Sequence, residues 1–264
     1  MEYVLITGAD GGMGRAAVRE FSVRGYGVIA LDVREYSGEV PVALSLRCDL
    51  TDTASVEAAY AKVCELTDKI DLIVHLAGIY TLDSLVEVAE RDFRHAFDIN
   101  FFGAYNVNRI FLPLLSGGGR IIITTSELAP LDPLPFTGIY AITKGVLDKY
   151  AYSLRMELQL LGIDVVVLRA GATETDMLGA STAALDKFTA STSLYSCNAE
   201  RFKKIVNGVE ARSVSTARVA KKIGKIAAKR RTRFAYSINR NPLLLLLDAL
   251  PRGLQFKIIK GILK

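Results

Sequence analysis

Tyr140 and Lys144 stand four residues apart in a segment, 137–161, whose pattern predicts a helix. Residues i and i+4 share one helix face, so a phenol and an ammonium can act together on one bound molecule. A tyrosine titrates near pH 10, so proton transfer near neutrality requires its phenolate to be favoured by roughly 4 kcal/mol. A neighbouring cation acts in that direction, and the pair then suits general acid–base work. Ser126 lies fourteen residues before Tyr140, closing Thr124-Thr125-Ser126 at the carboxyl end of a predicted strand. Open α/β sheets bind ligands at that end. A serine hydroxyl placed there can donate to a carbonyl or alkoxide oxygen, with Thr125 as the alternative donor.

A second group of residues suits phosphate. Thr7-Gly8-Ala9-Asp10-Gly11-Gly12-Met13-Gly14 follows a predicted strand and opens a predicted helix. Glycines let the backbone turn tightly and approach a pyrophosphate, which then sits at a helix N-terminus. Asp32 ends the second predicted strand, about 20 residues further on, where a carboxylate accepts both ribose hydroxyls of NAD and repels the 2′-phosphate of NADP. Arg34 is near enough to receive that phosphate, but Ala9, Asp10 and Gly11, between Gly8 and Gly12, include no basic residue. NAD is therefore the expected cofactor, ahead of NADP.

These residues need a scaffold, and the apolar pattern supplies one. Strands are predicted at 2–7, 27–32, 43–48, 70–76, 119–125, 163–169 and 232–238. Most are apolar on both faces, as in Val165-Val166-Val167-Leu168, which suits a parallel sheet covered by helices on both sides. Between them run amphipathic segments such as 53–67, where Thr51 or Asp52 can cap the helix. The alternation predicts a doubly wound, mainly parallel seven-stranded α/β sheet followed by a C-terminal helical tail. The expected division is a dinucleotide-binding and catalytic domain over 1–240 and an apolar-basic tail over 241–264. Segments 177–205 and 240–264 fit the alternation poorly.

The ordered set of motifs resembles the short-chain dehydrogenase/reductase family. Gly8, Gly12 and Gly14 match its T-G-x-x-x-G-x-G turn, and Tyr140 and Lys144 its Y-x-x-x-K, with Ser126 one residue further upstream than expected. The resemblance implies a Rossmann-type oxidoreductase that moves a hydride between a nicotinamide cofactor and a carbonyl or secondary alcohol. It implies that Asn100, in Asp98-Ile99-Asn100-Phe101-Phe102-Gly103, holds a helix bulge and a water linking Lys144 to solvent. Asp49 and Leu50 fall where the family contacts adenine. His75-Leu76-Ala77-Gly78 replaces N-N-A-G, keeping Ala77 and Gly78 beside the cofactor, with His75 expected to be a structural substitute. Arg169-Ala170-Gly171-Ala172-Thr173-Glu174-Thr175 resembles P-G-x-x-x-T, so Gly171 and Thr175 are expected near the nicotinamide, with Ala170 in the place of proline. Alternatives are an enzyme like the nucleotide-sugar epimerases and dehydratases, since Gly8, Gly11 and Gly14 also read G-x-x-G-x-x-G, and a non-catalytic NAD(P)-binding redox sensor.

Composition narrows the setting. Half of the 264 residues are hydrophobic and mean hydropathy is +0.27. The longest apolar run, Leu243–Leu247, falls far short of the ~20 residues a membrane span needs. The strand read at Tyr3–Ile6 argues against a signal peptide. Cys48, Cys64 and Cys197 form no metal spacing or disulfide framework, which suits a reducing cytoplasm. No metal site and no nucleic-acid partner are expected. Residues 1–210 hold 19 Lys and Arg against 27 Asp and Glu, whereas residues 211–264 hold 14 against Asp248 alone. That asymmetry, with Leu254, Ile258, Ile259 and Ile262 at helical spacing, raises two readings for the tail. It packs over the substrate cleft or a second subunit, or it contacts an anionic membrane from the cytoplasmic side. The small polar and apolar residues of 177–205 suggest a bulky, mostly apolar substrate, and the resemblance implies a homodimer or homotetramer through helices 90–115 and 137–161.

Overall fold

Strands and helices alternate along the chain as β1 (Tyr3–Thr7), α1 (Gly12–Val23), β2 (Gly27–Asp32), β3 (Leu44–Arg47), α2 (Thr53–Leu66) and β4 (Ile70–His75). Next come α3 (Glu90–Phe97), one π-helical turn (Asp98–Phe102), α4 (Gly103–Phe111), β5 (Leu115–Ser126), α5 (Gly138–Leu158) and β6 (Asp164–Ala170). The last part holds β7 (Thr173–Glu174), α6 (Asp176–Ser191), α7 (Ser196–Glu210), β8 (Val214–Ser215), α8 (Thr216–Ala227), β9 (Ala235–Ile238), α9 (Pro242–Asp248) and α10 (Arg252–Leu263). This computed structural model describes residues 1–210 and 212–264, with the side chains of 116, 176–182 and 209–210 outside the description.

Seven strands form one sheet in the order β3-β2-β1-β4-β5-β6-β9, and every pair is parallel. The chain therefore has the doubly wound α/β fold that its apolar pattern predicts. Both faces of the sheet are buried, which explains the unbroken apolar runs. Leu5, Ile29, Ile73, Ile121 and Val165 pack on one side with Phe111 and Leu147 of α4 and α5. Their neighbours Val4, Ile6, Val28, Ile122 and Val166 pack on the other with Phe21 of α1 and Ile223 of α8.

The strand order reverses between β1 and β4, and a doubly wound sheet opens its ligand crevice at such a point. The glycine turn after β1 lies there. Asp52 is the residue that caps α2, accepting the Ala54 N–H at 3.0 Å. The two segments that broke the alternation are helical: 177–205 falls in α6 and α7, and the tail in α9 and α10. The side chains of 177–182 lie outside the described residues.

Candidate active site

The turn after β1 is shaped by what its glycines lack. Gly8 has φ +68°, and a Cβ there would lie 2.7 Å from the Ala77 nitrogen. A Cβ on Gly14 would collide with the Gly8 carbonyl. Gly11 stands before the first turn of α1 without a side-chain cap, leaving that turn's N–H groups to a ligand. A groove of about 660 Å³ opens beside them, lined by Gly8, Gly11, Gly12, Met13 and Gly14 and by Asp32, Asp49, Leu50, Ala77, Gly78 and Thr175. Its size, bare helix terminus and carboxylate suit a dinucleotide.

The corner of this groove at the end of β2 is organised by two carboxylates. Asp32 accepts the Asp10 N–H at 2.9 Å and the Arg34 N–H at 3.0 Å. Asp10, itself buried, accepts the Ser37 N–H at 2.9 Å and pairs with Arg15 at 3.0 Å and Arg34 at 3.5 Å. Burial pushes the Asp10 carboxyl up, but the Ser37 amide and Arg15 outweigh it and hold it below its ordinary value.

A narrower cleft adjoins the groove. Met13, Leu76, Gly78, Tyr80 and Thr175 line both, so the two spaces meet along these residues. Ser126 and Tyr140 both line the cleft, near enough for the serine hydroxyl to favour the phenolate. Thr125 lines it too, but its hydroxyl donates to Asp148 at 3.3 Å, leaving Ser126 the better-placed donor. Burial drives the Tyr140 phenol up to about 12, against the lowering influence of the Ser126 hydroxyl, and Glu127 adds to the rise. Burial drives Lys144 the other way, to about 8. The expected lowering of the phenol by Lys144 is thus not delivered by the protein's own groups: Nζ lies 5.8 Å from the phenol ring centre. Nζ points toward Gly78, where a Cβ would meet it at 3.1 Å.

Asn100 sits in the π-helical turn, and extra turns of that kind gather at functional sites. Its amide oxygen accepts the Ile79 N–H at 2.8 Å, and its nitrogen donates to the Ile79 carbonyl at 3.0 Å and to Thr143 Oγ1 at 3.1 Å. The backbone just past β4 is thereby fastened to α5, one residue before Lys144. Glycine turn, carboxylate corner, serine, tyrosine, lysine and asparagine converge at one end of one sheet, in the chain order of the short-chain dehydrogenases. The family profile described as short chain dehydrogenase matches residues 2–186.

The chain belongs to the short-chain dehydrogenase/reductase family. It is accordingly an oxidoreductase of a family that takes NAD or NADP. It is 31% identical to Oxidoreductase UcpA of Salmonella typhimurium, over 66% of this chain and 70% of that one. It is 30% identical to Estradiol 17-beta-dehydrogenase 2 of Mus musculus, over 67% of this chain but only 49% of that longer protein. The 3-ketoacyl-(acyl-carrier-protein) reductase of Brucella melitensis, solved in complex with NADH, shares the fold. Its TM-score is 0.73 at 22% identity, over 90% of this chain and 96% of that one.

Other family positions fall as follows. His75 is buried and lines neither space. Its Nε2 lies 2.8 Å from Asn108 Oδ1, and burial lowers its pKa to about 4, so it is a neutral packing residue. Gly171 lines the cleft and Thr175 the junction. Asp49 accepts the Thr51 N–H at 2.9 Å, shaping the turn beside Leu50. Sequence reading missed three contributors. Tyr80 meets Tyr140 edge to face with ring centres 4.7 Å apart. Glu127 lines the cleft while accepting the Asn241 N–H at 2.6 Å, and Leu244 of α9 lines its wall. Only the first had a local signal, an aromatic residue two places after Gly78.

Proposed function

We propose that the protein transfers a hydride between NAD(H) and a bulky, mostly apolar carbonyl or secondary alcohol. The observation that carries this reading is that Ser126, Tyr140 and Lys144 line one apolar cleft, which runs into the neighbouring groove. When bound, the nicotinamide supplies or accepts the hydride. Ser126 donates to the substrate oxygen and holds it beside Tyr140. Tyr140 gives that oxygen a proton in reduction and takes it back in oxidation. Lys144, reaching from α5 toward Gly78, orients the nicotinamide ribose and supplies positive charge. Asn100 keeps the π turn open for a water that returns protons to Lys144. With the phenol at about 12 in the protein alone, a phenolate at pH 7 must gain roughly 7 kcal/mol. The protein's own groups do not supply that gain, which would come with the positive charge of the oxidised cofactor when bound.

The preference for NAD rests on Asp32 backed by Asp10. Asp32 lines the corner where a 2′-phosphate would lie, with Asp10 buried behind it, and both nearby arginines are already paired to Asp10. The substrate class rests on Leu76, Leu128, Leu134, Phe202, Val206 and Leu244 in the cleft lining. Free Cys48, Cys64 and Cys197 suit a reducing cytoplasm. We treat 1–240 as the catalytic domain with 241–264 as its tail. Exposed Phe102, Tyr105, Tyr152 and Met156 suit a dimer or tetramer through α4 and α5. The deciding experiment follows NADH and NADPH oxidation against a panel of aliphatic and cyclic ketones, with Tyr140→Phe beside the native enzyme. Turnover with NADH that falls by orders of magnitude in Tyr140→Phe, while NADH still binds, is the expected result. Undiminished activity in that variant refutes the mechanism, and a higher kcat/KM with NADPH refutes the cofactor preference.

A further inference from the structure

The tail has one face that the fold uses and one that it does not. Gln255, Ile259 and Leu263, one helical turn apart along α10, form the inward row. Gln255 donates to the Leu250 carbonyl at 2.8 Å, Ile259 and Leu263 join an apolar cluster with Phe136 and Phe202, and Asn198 holds the Leu263 carbonyl at 2.7 Å. The outward residues are also apolar. Phe256 is 71% exposed, Ile262 51%, Leu254 44%, and on α9 Leu243 and Leu246 are 65% and 63%. Packing accounts for the first set only.

The same surface carries Lys257, Lys260 and Lys264, which form no ion pair among the described residues, while Arg252 is held by Asp132 at 2.9 Å. Asp248 is the single acid in the last 54 residues, against 14 basic ones. Exposed leucine and phenylalanine interleaved with lysine is the chemistry of a helix that lies in a lipid interface. Among the described residues no helix is long and apolar enough to cross a membrane, so the contact is peripheral. We propose that α9 and α10 dock the protein on an anionic lipid surface. Leu244, between the two exposed leucines, lines the substrate cleft, so docking sets that wall of the cleft at the lipid, where apolar substrates partition.

Co-sedimentation of the full chain tests this, using vesicles of phosphatidylcholine alone and of phosphatidylcholine with 30% phosphatidylglycerol as probe. Binding is expected to the anionic vesicles at low salt, weakening in 0.5 M NaCl as surface charge is screened. Each lysine near the surface is worth about fivefold in partitioning, so Lys257→Glu/Lys260→Glu/Lys264→Glu is expected to lower it by more than a hundredfold. Phe256→Ser and Leu246→Ser point outward and are expected to weaken binding with no change in thermal midpoint. Three results overturn the proposal: no binding to anionic vesicles at low salt, equal binding to neutral vesicles, or loss of an oligomer in Phe256→Ser without loss of vesicle binding. Turnover is not needed for any arm, so failure here leaves the catalytic reading untouched.

Discussion

Replacing Lys144 by methionine separates what the fold needs from what the chemistry needs. Lys144 is 6% exposed, and burial lowers its pKa from 10.5 to about 8. A lowered pKa on a base means that folding disfavours the protonated form. The cost is complete below pH 8, shrinks as pH rises from 8 to 10.5, and is gone above that. Full displacement corresponds to about 3 kcal/mol at pH 7. Opposing it, the ammonium near the Tyr140 ring contributes only ~0.5–1 kcal/mol, and methionine of similar length refills the space. Desolvation therefore wins, and Lys144→Met is expected to be the more stable protein. For a chain of this size the gain is roughly 5–10 °C in thermal midpoint at pH 7. At pH 9.5 it falls to about 1.4 kcal/mol, because the native lysine folds mostly uncharged there. Thermal unfolding at both pH values, without added nucleotide, reads this directly, and kcat is expected to fall at least a hundredfold in the same variant. A methionine variant less stable than native at pH 7, or a gain that does not shrink toward pH 9.5, refutes the reasoning.

Three further outcomes are expected. Gly14→Ala places a methyl against the Gly8 carbonyl, so isothermal titration should show NADH binding lost while a destabilised but folded protein remains by circular dichroism. His75→Asn should resist acid better. The histidine's pKa is lowered to about 4, so the stability of its neutral form is full above pH 6.5 and drains away as pH falls to 4. The native protein should therefore lose about 3 kcal/mol more than the variant across that window in denaturant titrations. Glu127→Ala removes the acceptor of the Asn241 N–H and should free the start of α9. KM for bulky ketones should rise several-fold while kcat with a small ketone stays within about twofold.

The sheet was legible because each of its strands repeats the same physical event. A parallel strand buried on both faces leaves a run such as Val165–Leu168 that nothing else explains as simply. Predicted and observed strand ends agree within three residues, except that β5 begins at Leu115. There Leu115 pairs with Ile70, and the register then shifts before Leu72 meets Arg120. The glycines between 115 and 120 hid that extension. The catalytic residues were legible for a related reason: their order and spacing carry the resemblance. The segment 177–205 was not, because its helices pack on each other and on the tail, and small polar residues announce no partner.

Where the chain departs from its family's pattern, the missing bonds are made by residues distant in sequence. His75, standing where an asparagine is usual, reaches Asn108 of α4, whose amide donates in turn to Tyr150 of α5 at 3.3 Å. The end of β4 is thus tied to the same helix that carries Tyr140 and Lys144. Ala170 lacks a proline's rigidity, yet the loop after it is held three ways. Thr173 pairs with Val214 across β7 and β8, Asn239 donates to the Ala172 carbonyl at 2.8 Å, and the Gly171 N–H donates to Ile238 at 3.0 Å. Asn239 takes φ +55° to do so, a left-handed conformation that asparagine tolerates better than most residues. Arg169 then locks the strand to α5 through a two-pronged pair with Asp148, at 2.9 and 2.7 Å. A single buried pair of this kind resists rotation as well as separation, so it fixes the angle at which α5 presents its tyrosine. Thr125, beside Arg169 in the sheet, donates to the same Asp148, so the end of β5 is held to α5 as well, and Ser126 and Tyr140 line one cleft although one more residue than expected separates them.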